Sequence, residues 1–241
     1  FVNEPMLELL QRGETALSIK AHEAVAEHYG ITSSQHAREV ARQISAGELT
    51  WQEYGGVHPA PRGNAIAATL ITQLFDRVWA APLAETLTAK PLPLPAPLDS
   101  QSYFRGRFLE TAQIHPGQGW TLLVPEWKSL KGQFRDRFAD AALWCATEPG
   151  SELSLEFEGT GVGAYLLAGP DAGRLEVSID GGEPVTVELF HSFSKRLHYP
   201  RTVMFSGELA PGPHRIQVRI SPEHAADSTG TAARVLQFVA N

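Results

Sequence analysis

The sequence is poor in cysteine, in long apolar runs and in net positive charge, and each shortage excludes a class of protein. Cys145 is the single cysteine of the 241 residues, so the chain forms no internal disulfide and no cysteine-based zinc site. No apolar run reaches the length of a membrane span. The formal net charge of −7 argues against non-specific binding to nucleic acid or to an anionic membrane, because both need a basic surface.

The sequence does contain enough apolar material for a sizeable core. Hydrophobic residues make up 43% of the chain, and its length suits one large domain or two ordinary ones. Low cysteine usage fits the cytoplasm and also exported bacterial proteins, so composition leaves the compartment open. The sequence begins at Phe1, without an initiator methionine or a signal peptide, and enters a helical pattern at once, which predicts a processed precursor or a fragment.

The first third of the chain shows helical periodicity. Between residues 17 and 29, apolar side chains recur at four-residue spacing, as on one face of a helix. Further helices are predicted for residues 36–48 and 63–79, the latter with a continuous apolar stripe. ITSSQ, residues 31–35, has the length of a short buried strand. This order of helix, strand, helix and helix predicts the tail of a layered α/β domain.

A proline-rich stretch separates this part from one of different composition. The alternating prolines of residues 89–100 favour an extended, semi-rigid connector, so we place an α/β domain at residues 1–88 and a second domain at residues 101–241. In the second domain, eight short β-like runs alternate with turn signals, among them the hairpin signal IDGGEP at residues 179–184. We therefore predict an all-β sandwich of jelly-roll type.

A histidine stands out in WQEYGGVHPAPRGNAIAATLI, residues 51–71. Two glycines precede His58 and let the backbone take unusual dihedrals, and prolines after it stiffen the loop before a helix begins near Gly63. A rigid, exposed loop of this kind holds an imidazole at a fixed point, as a general base requires. A loop histidine that only packs against its neighbours is the alternative.

The segment GGVHPAPRGNAIAATLI resembles the last motif block of the SGNH (GDSL-type) hydrolases and esterases. In that family a histidine-proline pair, followed by a glycine, opens the final helix of a flavodoxin-like α/β/α domain. The resemblance covers roughly residues 1 to 80 and implies a partial α/β hydrolase domain joined to the β-sandwich. It also implies that His58 is the general base that deprotonates a serine nucleophile, and it implies no cofactor and no metal.

Two features depart from the family pattern. The aspartate expected three residues before the histidine is replaced by Gly55, so Glu53 or a backbone carbonyl would have to orient the ring. The Gly-Asp-Ser nucleophile block is also missing before His58, and the Asp-Ser pair at residues 99–100 lacks the preceding glycine and strand. The resemblance therefore implies the C-terminal part of a longer esterase, with its nucleophile upstream of Phe1.

Other histidines and aromatic residues give weaker signals. His22, His28 and His36 are six and eight residues apart, which does not match the pair of a metalloprotease helix, so we predict surface positions for them. The aromatic residues of the second domain are predicted to lie mostly in its core. Residues 189–201 are irregular, aromatic and basic, which suggests a contact loop at one end of the sandwich.

The sequence thus predicts a serine ester hydrolase of SGNH type that deacylates O-acylated carbohydrates and lacks its nucleophile half. The substrate class rests on analogy, since the turns and strands of the second domain resemble accessory jelly-roll modules of carbohydrate-active esterases. Family analogy also favours export from a bacterial cell, and no pattern predicts an oligomeric state. The alternative is a non-catalytic carbohydrate-binding or assembly module with a degenerate α/β remnant.

Overall fold

The computed structural model of the chain describes residues 2–80, 93–100 and 102–241. The chain divides into two units, Phe1–Ser100 and Gln101–Asn241. Of the predicted connector 89–100, residues 93–100 are exposed and form neither helix nor strand. Residues 89–92 lie outside the described residues, as do residues 81–88 of the first predicted domain.

The described part of the first unit contains five helices whose ends carry recognisable signals. Asn3 caps the first helix by accepting a hydrogen bond from the Met6 N–H at 3.0 Å. Gly13, Gly30 and Gly47 follow the first three helices with φ between 64° and 78°, the left-handed conformation that favours glycine. The helices are α1 (Glu4–Gln11), α2 (Leu17–His28), α3 (His36–Ser45), α4 (Trp51–Tyr54) and α5 (Pro61–Trp79).

The helical unit has a small core between α1, α3, α4 and α5. Val40 and Tyr54 are fully buried at its centre. Each large apolar side chain that is removed from water here contributes about 1.5–3 kcal/mol. The other buried members of this core are Val2, Leu7, Ala37, Ala41, Leu49 and Ile66.

The strand predicted at residues 31–35 is wrong. These residues belong to neither a helix nor a strand, all five are exposed, and Ile31 retains 61% of its accessible surface. A strand exists only when its backbone groups bond to a neighbouring strand. The described residues of this unit contain no other strand, so the backbone of this segment has no strand to pair with.

Two antiparallel sheets form the second unit and pack face to face. All eight predicted β-like runs are strands, and three further short strands, at residues 107–108, 114–116 and 143–146, lie before the first long one. In the described residues the strands are β1 (Arg107–Phe108), β2 (Ile114–Pro116), β3 (Thr121–Leu123), β4 (Leu143–Ala146), β5 (Glu152–Gly159), β6 (Val162–Ala168), β7 (Arg174–Ile179), β8 (Val185–Glu188), β9 (Tyr199–Ser206), β10 (Gly212–Ile220) and β11 (Ala233–Ala240).

The strand order is that of a jelly roll. One sheet has the order β3-β4-β11-β6-β9, with β1 also paired to β11, and the other has the order β2-β5-β10-β7-β8. From β4 to β11 the chain crosses between the two sheets at every step except the β7–β8 hairpin. The predicted fold class is confirmed at the level of a helical segment followed by a jelly-roll-like sandwich, although the described residues of the first unit contain no strand.

The core of the sandwich follows the alternation read in the sequence. Leu153, Leu155 and Phe157 of β5 are at most 3% exposed, as are Leu175 and Val177 of β7. The residues between them point away from the core, as the period of two in a strand requires. The inner faces of the two sheets therefore form one apolar layer.

A loop covers part of the outer face of the first sheet and builds a second apolar cluster. Trp127 and Phe138 of this loop pack against Leu143 and Leu167. The indole N–H of Trp127 donates to the Ala139 carbonyl at 3.1 Å. Strand β4 is consequently apolar on both faces. Within the described ranges, no helix combines the length and the apolar character needed to cross a lipid bilayer.

Candidate active site at His58

The loop that carries His58 begins at the end of α4, a single helical turn fixed by a reciprocal cap. The Thr50 side chain accepts a hydrogen bond from the Glu53 N–H at 3.2 Å, and the Glu53 carboxylate accepts one from the Thr50 N–H at 2.8 Å. Gly55 then ends the turn in the left-handed region, with φ of 102°. The chain reverses here, and the Ala60 N–H donates to the Tyr54 carbonyl at 2.8 Å.

Gly55 is required by the close return of this loop. A Cβ atom at Gly55 would lie 2.1 Å from the Ala60 nitrogen and 2.8 Å from the His58 carbonyl oxygen. Any side chain would therefore collide with backbone, quite apart from the positive φ. An aspartate at this position would therefore not fit this backbone.

The far end of the loop is held equally closely against α4. A Cβ atom at Gly63, in the first turn of α5, would lie 2.4 Å from the Tyr54 carbonyl oxygen and 2.9 Å from Pro59. The Asn64 side chain donates to the Pro59 carbonyl at 3.1 Å. The loop from Gly55 to Pro59 is thus anchored by backbone contacts at both ends.

Tyr54 is the buried support beneath the loop. Its ring stacks on Trp51 with centroids 5.3 Å apart, and its hydroxyl lies 3.1 Å from His36 Nε2. Burial raises the pKa of Tyr54 and lowers the pKa of His36, which favours the neutral form of both groups. His36 is accordingly half-buried and contributes to packing, although a surface position was expected.

The His58 side chain projects from this anchored loop into solvent. It is exposed, and within the described residues it makes no hydrogen bond, ion pair or ring contact. An exposed imidazole is able to take a proton from a hydroxyl group placed next to it. His58 is therefore accessible to a substrate or a partner group, and no nucleophilic side chain among the described residues is hydrogen-bonded to it.

Glu53 does not serve His58 in this arrangement. Its carboxylate binds the Thr50 backbone and hydroxyl groups and also pairs with Arg62 at 2.9 Å. The bond from the Thr50 N–H is the main reason that the pKa of Glu53 lies below its usual value. The carboxylate is therefore an ionised helix cap at the surface.

A cavity of about 430 Å3 lies along α2 and residues 31–37, away from the His58 loop. His22, Glu23 and Ser33 line it, but the Ser33 hydroxyl donates to Glu23 at 2.8 Å rather than to an imidazole. The Ser33 hydroxyl is therefore bound to a carboxylate and not to the histidine that lines the same cavity. Among residues 2–80, 93–100 and 102–241, no cluster of three or more His, Cys, Asp or Glu side chains is arranged to hold a metal ion.

In the second unit the large indoles are buried, as expected for core residues. Trp120, Trp127 and Trp144 are at most 8% exposed, whereas Phe193, in the stretch 189–201, keeps 61% of its surface. Sequence reasoning identified this stretch but missed the loop of residues 126–140 that adjoins it. The contact between them is distant in sequence, and the signal that could have found it is the basic composition shared by both loops.

Comparison with known proteins identifies structural neighbours only. The chain matches no protein-family model and no curated protein sequence. It is similar to two structures of a two-domain esterase active on acetylated mannans. The one co-crystallised with mannopentaose has a TM-score of 0.66 and 17% identity, over 91% of this chain and 57% of that chain. The other has a TM-score of 0.66 and 19% identity, over 96% of this chain and 61% of that chain. At these identities the likeness shows a shared fold, and this chain spans about three fifths of the esterase's length.

Proposed function

We propose that this chain belongs to a carbohydrate ester hydrolase of SGNH type, in which His58 is the general base. The reaction class is the removal of acyl groups from O-acylated glycans. The observation that carries the proposal is the His58 loop itself, which holds an exposed imidazole at a point fixed by Gly55 and Gly63. The fold shared with an esterase active on acetylated mannans supports the choice of substrate class.

The chemistry assigned to His58 is that of a proton carrier in acyl transfer. Its imidazole takes the proton of a serine hydroxyl as the oxygen attacks the ester carbonyl, and returns that proton to the departing sugar oxygen. It then takes a proton from water, whose oxygen attacks the acyl-enzyme, and returns the proton to the serine. Backbone or amide donors must stabilise the oxyanion at each stage. We assign the serine and these donors to polypeptide outside the residues described.

The uncovered faces of the helices support this assignment. Leu17 of α2 is 82% exposed and Trp79 of α5 is 67% exposed, and α2 buries no residue in the described unit. Helices of a layered α/β domain cover a sheet with such faces. We propose that a sheet of the same hydrolase domain lies against α2, α5 and residues 31–35. Strong hydrogen-exchange protection of α2 in the isolated 241-residue chain would contradict this.

The ring of His58 needs an orienting partner, and the structure restricts the choice. Gly55 excludes a side chain at the family's acid position, and the Glu53 carboxylate is engaged by Thr50 and Arg62. We propose a backbone carbonyl as the acceptor for the second imidazole N–H, as in a catalytic dyad. This fixes the tautomer without adding a negative charge.

The proposal is tested by acetate release from acetylated glucomannan. The full-length protein that contains this sequence should release acetate, and the 241-residue chain alone should be nearly inert because a base without a nucleophile has no proton transfer to assist. An equally active 241-residue chain would place the nucleophile within these residues and contradict the assignment.

A non-catalytic carbohydrate-binding or assembly module is the second candidate. The observation in its favour is that Gly55 stands at the acid position and that His58 has no partner among the described residues. An inactive full-length protein that still binds glucomannan would favour this candidate.

A further inference from the structure

Two loops of the second unit lie side by side and form one surface, which we call the basic loop pair (residues 126–140 and 189–201). The Gln133 N–H donates to the Arg196 carbonyl at 2.8 Å, and the His198 N–H donates to the Gln133 carbonyl at 2.7 Å. The buried His198 ring also lies 3.1 Å from the Lys131 carbonyl oxygen. These backbone bonds fix the two loops to each other.

Positive charge is concentrated on this surface. The basic loop pair contains seven Lys and Arg residues against three Asp and Glu. The rest of the second unit contains six Lys and Arg against thirteen Asp and Glu. A protein of net charge −7 therefore presents one locally positive region, which attracts anions to that region rather than to the molecule as a whole.

Most of these cations are free to bind a ligand. Lys128, Lys131, Arg135 and Arg196 are exposed, and their side chains form no ion pair or hydrogen bond with any described residue. Lys195 differs, since it pairs with Asp227 at 3.0 Å. Several unpaired cations on adjoining loops suit a ligand with repeated negative charges better than a single small anion.

An ordered aromatic group stands on the same surface. The rings of His191 and Tyr199 stack with centroids 4.8 Å apart, and Phe193 packs edge-on against Tyr199 at 5.3 Å. The Phe193 N–H donates to His191 Nδ1 at 3.2 Å, while the buried Ser194 hydroxyl accepts from the His191 N–H at 3.1 Å. Phe193 is thus held rigidly although it is 61% exposed.

We propose that the basic loop pair binds a glycan chain that carries carboxylate groups, such as a polyuronate. Arg135 and Arg196 donate charge-assisted hydrogen bonds to the carboxylates, and the Phe193 ring packs against the apolar face of a pyranose ring. The proposal rests on the proposed function only in taking carbohydrate as the class of ligand. The proposal names a second ligand, an anionic glycan, besides the acylated substrate. It assigns this second ligand to residues that are remote in sequence from His58.

A negatively charged sugar fits the surface better than a nucleic acid does. A duplex carries one negative charge per about 1.7 Å of its axis, a higher density than that of a polyuronate with one carboxylate per sugar, so the thirteen acidic residues elsewhere on the unit oppose the duplex more strongly. The single exposed phenylalanine also offers a platform for one ring rather than for a series of bases. A duplex DNA arm in the experiment separates these ligands.

The test is equilibrium binding of the full chain to polygalacturonate, with neutral acetylated glucomannan and a DNA duplex as comparison ligands. We expect the double variant Arg135→Gln/Arg196→Gln to bind polygalacturonate about tenfold more weakly, through the loss of charge-assisted bonds. Arg215→Gln/Arg219→Gln is the matched control, because both arginines lie on β10, a strand of the sheet that residues 126–140 do not cover. Its affinity should stay within about twofold of the parent, a difference of under 0.5 kcal/mol. Phe193→Ala should weaken binding without changing the salt dependence.

Three results would overturn the proposal: equal affinity for the neutral glucomannan, equal or higher affinity for DNA, or unchanged polygalacturonate binding in Arg135→Gln/Arg196→Gln. These outcomes are independent of acetate release. Polygalacturonate binding by a protein without esterase activity refutes the proposed function and leaves this site standing. Esterase activity without polygalacturonate binding refutes this site and leaves the proposed function standing.

Discussion

Replacing Gly55 by alanine should damage the His58 loop far more than the same change at Gly56. Both residues have positive φ, 102° and 72°, so each alanine pays a conformational penalty of about 1–2 kcal/mol. At Gly56 nothing lies within 4 Å of the added Cβ atom, but at Gly55 the atom would lie 2.1 Å from the Ala60 nitrogen. In Gly55→Ala, forced repacking around the new Cβ atom destabilises the loop further, by about 1–3 kcal/mol. The effect of alanine on the unfolded chain is the same in both variants, so it cancels in the comparison.

The Ala60 amide is a local reporter for this comparison, because its N–H bonds to the Tyr54 carbonyl across the loop. We expect its hydrogen exchange to accelerate by roughly 10- to 100-fold more in Gly55→Ala than in Gly56→Ala, since 1.4 kcal/mol corresponds to a factor of ten. Equal acceleration in the two variants would show that the loop does not return as closely as described.

Three further predictions concern the second unit. Arg234 is 5% exposed and forms two hydrogen bonds to Asp171, at 2.7 and 2.8 Å. Asp171→Ala leaves this buried cation unpaired, so the free energy of unfolding in urea should fall by about 3–5 kcal/mol, and a fall below about 1 kcal/mol would contradict this. The hydrogen bond to Asp180 raises the pKa of His214, so the stability of the unit should fall as the pH rises above about 6.5 and through the folded-state pKa. The variant His214→Gln should flatten that decline, and an unchanged pH profile in the variant would exclude the pair as its cause. Burial raises the pKa of Cys145 to about 11, so a thiol reagent at pH 8 should label Cys145 much more slowly than free cysteine. Equal labelling rates for Cys145 and free cysteine would show that the thiol is accessible.

The β-sandwich could be predicted from the sequence because its long strands alternate. Leu153, Leu155 and Phe157 mark β5 by period alone, and the Asp180–Gly181 pair, with φ of 53° and 76°, marks the hairpin turn. Strand β4 escaped prediction because the loop of residues 126–140 covers its outer face, so that both faces are apolar and the period of two disappears. Strands β1 and β2 are too short to show a period.

Pairing partners could not be predicted in the first unit. The length of residues 31–35 suits a strand, but a strand depends on a neighbour that segment length does not reveal. The loop around His58 was predicted to be rigid from its glycines and prolines. Only the three-dimensional structure shows why Gly55 must be glycine, since a Cβ atom there would lie 2.1 Å from the Ala60 nitrogen. The bond between Gln133 and Arg196 is likewise invisible in either loop read alone.

The proposed function requires that His58 acts in ester hydrolysis. The decisive measurement is kcat/KM for acetylated glucomannan in the full-length protein, compared among the parent, His58→Ala and Glu53→Ala. We expect His58→Ala to lose roughly 10²- to 10⁴-fold, the contribution of a positioned base. Glu53→Ala removes only the cap of α4, which costs about 1 kcal/mol of local stability, and should leave kcat/KM within about threefold of the parent. A His58→Ala protein as active as its parent would contradict the account, since the fixed histidine loop would then have no part in catalysis.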